Sequence, residues 1–166
     1  MDRLLIIGAG GYGKTVAEAA EQSGAFGEIA FLDDAAPGVL GKCEEYAAFA
    51  GRFSHAYAAF GNNALRAVWL DRLEQAGFAL PVIVHPRAYV SPSAQMSPGA
   101  VVLALAAVGA SAVLERGVIV NMGAIVDHDA RVEACAHIAP GAIVKASVHV
   151  DPHIKLESGT VAVRPE

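Results

Sequence analysis

The feature that most constrains the fold is a six-residue repeat that fills the second half of the chain. From Val84 to Ala162, every sixth residue is apolar in one unbroken register. A large aliphatic residue at this spacing, preceded by a small one, is typical of a parallel β-helix with short strands and tight corners. The small residues lie two positions earlier and are Ala88, Ala94, Ala100, Ala106, Ala112, Ala124, Ala130, Ala136 and Ala142, interrupted only by Val118. We therefore expect both series to form core rather than binding surface.

The first 80 residues alternate apolar runs with helical patterns. The runs at 4–8, 28–34 and 56–61 predict strands, and the segments at 14–24 and 63–77 predict helices. Gly24 and Gly77 stand where helices commonly end. Strands separated by helices indicate a parallel sheet, so this half predicts a small α/β unit of Rossmann type.

The second predicted helix has an amphipathic pattern. We expect its apolar residues, which recur at three- and four-residue steps, to pack on the sheet. These residues are Leu65, Val68, Trp69 and Leu73, and the polar residues assigned to the opposite side are Arg66, Asp71, Arg72 and Glu74.

Composition excludes several classes of function. The 166 residues carry a net charge of −5, so no basic surplus is present to hold a nucleic acid. No apolar run has the length of a membrane span, and the N-terminal apolar stretch is too short for a signal sequence, so we expect no membrane insertion and a cytoplasmic location. Cys43 and Cys135 lack the spacing of a disulfide framework or zinc site, and His149 and His153 lack an evident third ligand. We predict no metal.

The sequence GAGGYG (8–13) follows the first predicted strand and opens the first predicted helix. Gly8 permits a tight turn, Gly10 lets a phosphate approach backbone N–H groups, and a helix that begins near Gly13 presents its positive end. Asp33 and Asp34 end the next strand, where a carboxylate can reach a ribose or a uracil-type ring. The pattern favours a nucleotide site, with a tight turn that binds nothing as the alternative.

The sequence GNNALR (61–66) lies between the third predicted strand and the second predicted helix. Asn62 or Asn63 could cap that helix or contact a ligand, and the residues favour neither role.

The most irregular coil of the repeat is at 118–142, where polar residues interrupt the apolar series. His128 stands between Asp127 and Asp129, and a neighbouring carboxylate can fix the tautomer of a histidine and raise its basicity. This indicates a candidate general base, although such a cluster is also common on solvated surfaces. Asn121 and His137 are the other polar candidates in this coil. Because His128 and His137 lie nine residues apart, half a coil if three hexads make a coil, a site that uses both requires a subunit interface.

Six short motifs occur in order over roughly residues 3 to 150: IIGAGGYGK, FLDD, FGNNALR, VIVHPRAYVS, NMGAIVDHDA and AHIAPGA. With these motifs the chain resembles the bacterial acetyltransferases that modify nucleotide-linked amino sugars, a branch that includes sialic acid O-acetyltransferase-like proteins. The resemblance implies a Rossmann-like nucleotide-sugar-binding domain at 1–80 and a left-handed β-helix acyltransferase domain at 81–166, short at its C-terminus. It also implies a homotrimer with acetyl-CoA bound between neighbouring subunits.

The resemblance further implies roles for individual residues. His128 corresponds to the general base, Asp129 to its carboxylate partner and Asn121 to an adjacent polar residue of the catalytic site. His137 and Ala146 correspond to acetyl-CoA contacts. The positions that correspond to the nucleotide-sugar pocket are Gly8, Gly10, Gly11, Tyr12, Asp33, Asp34 and Asn62. Tyr12 stands where this family usually has a histidine.

From these features we expect an acetyl-CoA-dependent N-acetyltransferase that acts on the amino group of a nucleotide-linked sugar for surface glycan biosynthesis. One alternative is a sugar O-acetyltransferase of the sialic acid type. The other is a non-catalytic trimeric protein that binds nucleotide sugars. A histidine base serves an amine or a hydroxyl acceptor equally, so the residues do not separate the two enzymes.

Overall fold

The computed structural model describes residues 1–164. The chain forms two compact units, Met1–Pro81 and a second unit that begins at Val82. Within the described residues, no helix is both long enough and apolar enough to span a bilayer.

The first unit has a three-stranded parallel sheet in the order β2-β1-β3. A 3-10 helix at Cys43–Phe49, which the sequence analysis did not predict, connects β2 to β3. Because the strands are parallel, their carboxyl ends lie at one edge of the sheet, the usual position of a ligand site in such folds. The other elements are β1 (Asp2–Ile7), α1 (Gly11–Ser23), β2 (Phe26–Leu32), β3 (His55–Ala58) and α2 (Asn63–Gln75).

The buried face of α2 differs from the predicted one. Leu65 and Val68 are 43% and 50% exposed, whereas Arg66 is fully buried. The buried stripe consists of Arg66, Trp69, Leu70 and Leu73. The expected stripe is confirmed at Trp69 and Leu73 and wrong at Leu65 and Val68. Arg66 can take a buried position because its guanidinium donates to the Phe60 carbonyl and to Asn63 Oδ1, both at 2.9 Å. Burial of an arginine is tolerable only with such partners.

The second unit is a parallel β-helix whose strands are two residues long. Strands 18 residues apart pair in parallel, for example Ile119 with His137 and Ile125 with Ile143, so each coil contributes one strand to each of three sheets. The strands are β4 (Ile83–Val84), β5 (Tyr89–Val90), β6 (Gln95–Met96), β7 (Val101–Val102), β8 (Ala107–Val108), β9 (Val113–Leu114), β10 (Ile119–Val120), β11 (Ile125–Val126), β12 (Arg131–Val132), β13 (His137–Ile138), β14 (Ile143–Val144), β15 (His149–Val150), β16 (Lys155–Leu156) and β17 (Val161–Ala162).

The core of the second unit confirms the two predicted series. The second residue of each strand from β7 to β15 is buried, and the alanines between strands pack against these aliphatic side chains. Because successive side chains of a strand point to opposite faces, the first residue of each strand points away from this core.

The corners of the β-helix share one backbone feature. Every sixth residue from Gly99 to Gly159 has positive φ, and one of the non-glycine residues in this series is Asp129, with φ of 56°. Side chains other than Asn and Asp rarely adopt this conformation without strain. Asp129 therefore suits the backbone of its corner as well as lying beside His128.

Candidate functional site

The corner between β11 and β12 holds the three polar residues Asp127, His128 and Asp129. The Asp129 side chain lies 2.8 Å from His128 Nδ1, and Asp127 Oδ1 accepts the His128 backbone N–H at 2.7 Å. The hydrogen bond to Asp129, followed by the charge of Asp127, raises the pKa of His128 above its ordinary value. Because a carboxylate accepts at Nδ1, the ring proton of the neutral histidine lies there and the lone pair of Nε2 faces away from Asp129.

A groove of about 590 Å³ borders His128. Its wall includes Ala146, from the next coil, and the two cationic side chains Lys145 and Arg164. The structure thus brings together His128 and Ala146, two residues that the sequence analysis assigned to one site. The groove is open, and the His128 side chain is 57% exposed in the single chain.

Asn121 and His137 form a second polar pair, one coil apart. Asn121 Oδ1 accepts the Met122 backbone N–H at 2.8 Å, so the amide nitrogen faces His137 Nε2 at 3.0 Å. Only 8% of His137 is exposed, so this candidate is almost buried in the single chain. Asn121 precedes β11 and His128 follows it, so the two groups lie at opposite edges of one sheet. His137 does not line the groove at His128.

In the first unit, the glycine-rich loop lies at the carboxyl end of β1. Gly8 has φ of 100°, the left-handed conformation expected of a tight turn. The helix begins at Gly11, two residues earlier than predicted, with Gly10 as an N-cap that has no side chain to signal it. A Cβ on Gly13 would lie 2.0 Å from the Gly8 carbonyl oxygen, so this glycine allows the first turn of α1 to pack on the loop.

The two acidic residues after β2 accept hydrogen bonds from backbone N–H groups. Asp33 accepts from Ala9 at 2.7 Å through one oxygen and from Ala35 and Ala36 through the other. These donors, Ala9 first, lower the pKa of Asp33. Asp34 accepts from the Cys43 N–H at 3.0 Å. Asp33 therefore connects the glycine-rich loop to the loop after β2, a role that sequence spacing alone does not reveal.

Asn62 is the N-cap of α2, and its Oδ1 accepts the Leu65 N–H at 2.8 Å. Of the two roles left open for GNNALR, capping is confirmed for Asn62. The side chain of Asn62 is exposed, and the cap uses its oxygen and not its amide NH₂.

One cluster of described residues consists of residue types that can ligate a metal ion. Glu133, His149 and Asp151 each offer one possible ligand atom, and these three atoms lie within 4.8 Å of one another. His149 Nε2 is 2.5 Å from Glu133 Oε1, so the pair forms a hydrogen bond on the exposed surface of the β-helix. Cys43 is a buried residue of the first unit, and burial raises the pKa of its thiol to about 11.

Two residues of the first unit were missed by the sequence analysis. Tyr57, in β3, places its hydroxyl 2.6 Å from that of Tyr12, and the buried Arg66 is near both. The sequence signal for this group is the position of Tyr57 in the apolar run at 56–61, which predicts the third strand.

Comparison with known proteins extends these observations. A family model described as the PglD N-terminal domain matches residues 3–73. The acetyltransferase domain of PglB from Neisseria gonorrhoeae FA1090, solved in complex with acetyl coenzyme A, is 40% identical with a TM-score of 0.91; the match covers 96% of this chain and 81% of that chain. PerB from Caulobacter crescentus, solved in complex with CoA and GDP-perosamine, is 30% identical with a TM-score of 0.85 and coverages of 99% and 90%. Among curated protein sequences, none matches the chain.

These structural matches cover nearly the whole chain. The expected architecture, a Rossmann-like α/β unit followed by a left-handed β-helix, is confirmed.

Proposed function

The chain belongs to the nucleotide-sugar N-acetyltransferases of the hexapeptide-repeat family, and from this we propose that it moves the acetyl group of acetyl-CoA to the amino group of a nucleotide-linked sugar, with His128 as general base. The observation that carries the proposal is the 2.8 Å contact of His128 with Asp129 beside an open groove. This contact directs the basic nitrogen of the imidazole, Nε2, away from the carboxylate, where a substrate proton can reach it.

The proposed chemistry centres on one general base. The neutral amine attacks the thioester carbonyl carbon, a C–N bond forms, and the nitrogen loses a proton to His128 Nε2. The C–S bond then breaks, and the protonated His128 gives the same proton to the sulfur, so that CoA leaves as its thiol and the base is restored. Asp129 stabilises the imidazolium that forms, and Asp127 adds to the negative potential around it. Holding donor and acceptor in one groove contributes through proximity.

We assign the nucleotide sugar to the first unit and acetyl transfer to the second. The glycine-rich loop offers backbone N–H groups and the start of α1 to the phosphates, as Gly8, Gly10 and Gly11 shape it. Tyr12, Asp34 and the exposed amide of Asn62 are proposed to contact the sugar or the nucleoside. Because Asp33 already accepts three backbone N–H groups, its larger contribution is to shape the loop. Surface glycan synthesis in the cytoplasm is the process we propose for this activity.

A homotrimer would complete the site. The outer row of the sheet that contains β11 is entirely apolar, whereas the outer row of the sheet that contains β12 is largely polar. Leu105 and Met122, at the edge of the apolar row, are also exposed. A second chain on this face would remove apolar surface from water and shield His128. The row consists of Tyr89, Ala107, Ile125, Ile143 and Val161.

In this arrangement a neighbouring chain would bring its Asn121–His137 pair to the groove beside His128. An amide N–H is a suitable donor for the oxyanion that forms on the acetyl carbonyl. Because His137 is almost buried, we assign it the support of the Asn121 amide, with which it shares a hydrogen bond. Ala146, in the wall of the groove, leaves space for the thioester.

A thiol-release assay tests the proposed function. The protein is mixed with acetyl-CoA and each of a panel of UDP- and GDP-linked amino sugars, with free sialic acid as a hydroxyl acceptor. Release of CoA thiol with an amino sugar, together with an N-acetylated product by mass spectrometry, supports the proposal. Transfer to sialic acid alone identifies an O-acetyltransferase. Binding of a nucleotide sugar without any transfer identifies a non-catalytic protein.

The raised pKa of His128 predicts a shifted pH profile. The base works only when deprotonated, so kcat/KM should fall as the pH drops through a value above the ordinary 6.5. Asp129→Asn removes the largest cause of the raised pKa. It should therefore move this fall in kcat/KM, the acid limb of the profile, to lower pH. Glu133→Gln, which alters the carboxylate partner of His149, is the matched control and should leave the limb in place. An unmoved limb in Asp129→Asn would exclude His128 as the titrating base.

A further inference from the structure

The buried arginine of α2 secures the loop that precedes this helix. Arg66 is completely inaccessible, so its guanidinium cannot contact a substrate. It donates to the carbonyl of Phe60 and to the side chain of Asn63, which lie on either side of Asn62. An arginine fork that holds two points of a short loop restricts the backbone between them. The position of Asn62 therefore depends on Arg66.

This loop lies against the glycine-rich loop. Ala59 donates its N–H to the Ile7 carbonyl at 2.9 Å, and a Cβ on Gly8 would lie 3.1 Å from the Ala59 carbonyl oxygen. The loop after β3 and the loop after β1 therefore have little freedom to move independently. Any contact that both loops make to one ligand is fixed by the same packing.

A pair of tyrosine hydroxyls joins the same region. Tyr57 is buried in β3, Tyr12 is half-buried in the first turn of α1, and their hydroxyl oxygens are 2.6 Å apart. Burial, together with the neighbouring Tyr57, raises the pKa of Tyr12, so its hydroxyl keeps its proton at any working pH. The positive charge of Arg66 acts on the pKa of Tyr12 in the opposite direction and offsets part of this rise. The Tyr12 hydroxyl of α1 therefore contacts a residue of β3 directly, and a residue of α2 acts on it electrostatically.

We infer that Tyr57 and Arg66 are positioning residues for the nucleotide-sugar contacts, Tyr57 acting through the Tyr12 hydroxyl and Arg66 through the loop that carries Asn62. The inference rests on the proposed function. Groups that are held in their bound geometry before a ligand arrives lose less conformational entropy on binding. Loss of either support should therefore weaken the nucleotide-sugar contacts and leave the acetyl-CoA contacts, which we assign to the second unit, unchanged.

The test compares four variants in steady-state kinetics. Tyr57→Phe removes one buried hydroxyl and keeps the ring, and Arg66→Lys keeps the charge but not the fork. Each should raise KM for the nucleotide sugar about 3- to 10-fold, the loss expected for one hydrogen bond, with kcat and the KM for acetyl-CoA unchanged. Tyr46→Phe and Arg52→Lys are the matched controls, because phenylalanine keeps the ring of Tyr46 that packs on Trp69, and Arg52 pairs with Glu28 in β2. Both controls should keep the parental KM values.

Three outcomes would overturn the inference. They are an unchanged sugar KM in both variants, an equal rise in both KM values, and a loss of kcat that follows a lower melting temperature. Binding of UDP and GDP, measured by calorimetry, separates this inference from the proposed function. If the parent protein transfers no acetyl group, the proposed function fails, yet weaker nucleotide binding by Tyr57→Phe still supports the positioning role. Equal binding by parent and variant, or no binding by either, overturns it.

Discussion

Replacing His128 with alanine is expected to lower kcat for acetyl transfer by about 10²- to 10⁴-fold, the usual contribution of a positioned general base. The side chain is exposed in the single chain, so its loss should not change folding. KM values for both substrates should change little, because the imidazole acts on the proton that moves in the transition state. Initial rates of thiol release at saturating substrate, with the parent and variant at equal concentration, measure the effect.

The chain supplies a closely matched control. His149 is another exposed histidine of the β-helix that is hydrogen-bonded to a carboxylate, in this case Glu133. His149→Ala removes the same chemical group from a comparable surface and should retain parental kcat. If His128→Ala keeps its rate, or if both variants lose the same fraction of activity, His128 is not the base.

Adding one methyl group beneath the catalytic corner is expected to have the second large effect. Gly109 lies one coil before His128, and a Cβ on it would be 2.7 Å from the His128 backbone nitrogen and 2.9 Å from the Asp127 carbonyl carbon. Both contacts are with backbone, so the corner itself must move. Displacements of this size at a catalytic group can cost about 100-fold in rate, and we expect a drop of this order in kcat for Gly109→Ala.

The methyl group should also lower the melting temperature, because overpacking strains the coil. Gly51→Ala is the control: its φ is ordinary and an added Cβ meets nothing within 4 Å. It should keep both the rate and the melting temperature. A Gly109→Ala protein with full activity would show that the corner tolerates displacement, and the geometry of His128 would then not limit the reaction.

The β-helix could be predicted because its periodicity has a direct physical cause. One inward aliphatic residue per strand and one small residue per corner must recur every six residues for the coils to stack, and Val102, Val126 and Val144 do so in the core. The strands and helices of the first unit could be predicted from the apolar runs and from the glycines at which the helices end. Neither argument uses information from distant parts of the chain.

Half of the buried face of α2 was predicted wrongly, for a reason that a helical pattern does not contain. Periodicity ranks Arg66 as polar and Leu65 as apolar, but burial depends on which partners are available. The acceptors of Arg66 are a backbone carbonyl and an amide side chain that become available only once the loop has folded. Composition and spacing describe side chains and not the carbonyl groups that accept their hydrogen bonds.

The candidate site was predictable in part. Asp129 is adjacent to His128 in sequence, so their contact follows from local geometry. The Asn121–His137 pair and the clash at Gly109 join residues about one coil apart, and they require the stacking of coils. The three bonds of Asp33 to backbone N–H groups show the same limit, since spacing predicted an acid at the correct edge and not its partners.

Subunit mixing tests most directly the claim that the site is shared between chains. His128→Ala chains lack the base, and chains with both Asn121→Ala and His137→Ala lack the opposite side of the groove, so each alone should form an inactive trimer. When equal amounts assemble at random, every mixed trimer has one complete site, and about one quarter of the parental activity should return. Co-expression with two affinity tags isolates the mixed trimers for the thiol-release assay, and because one of their three sites is complete they should have about one third of the parental activity. Recovery of activity near this value is the predicted result, and mixed trimers as inactive as either variant alone would contradict a shared site.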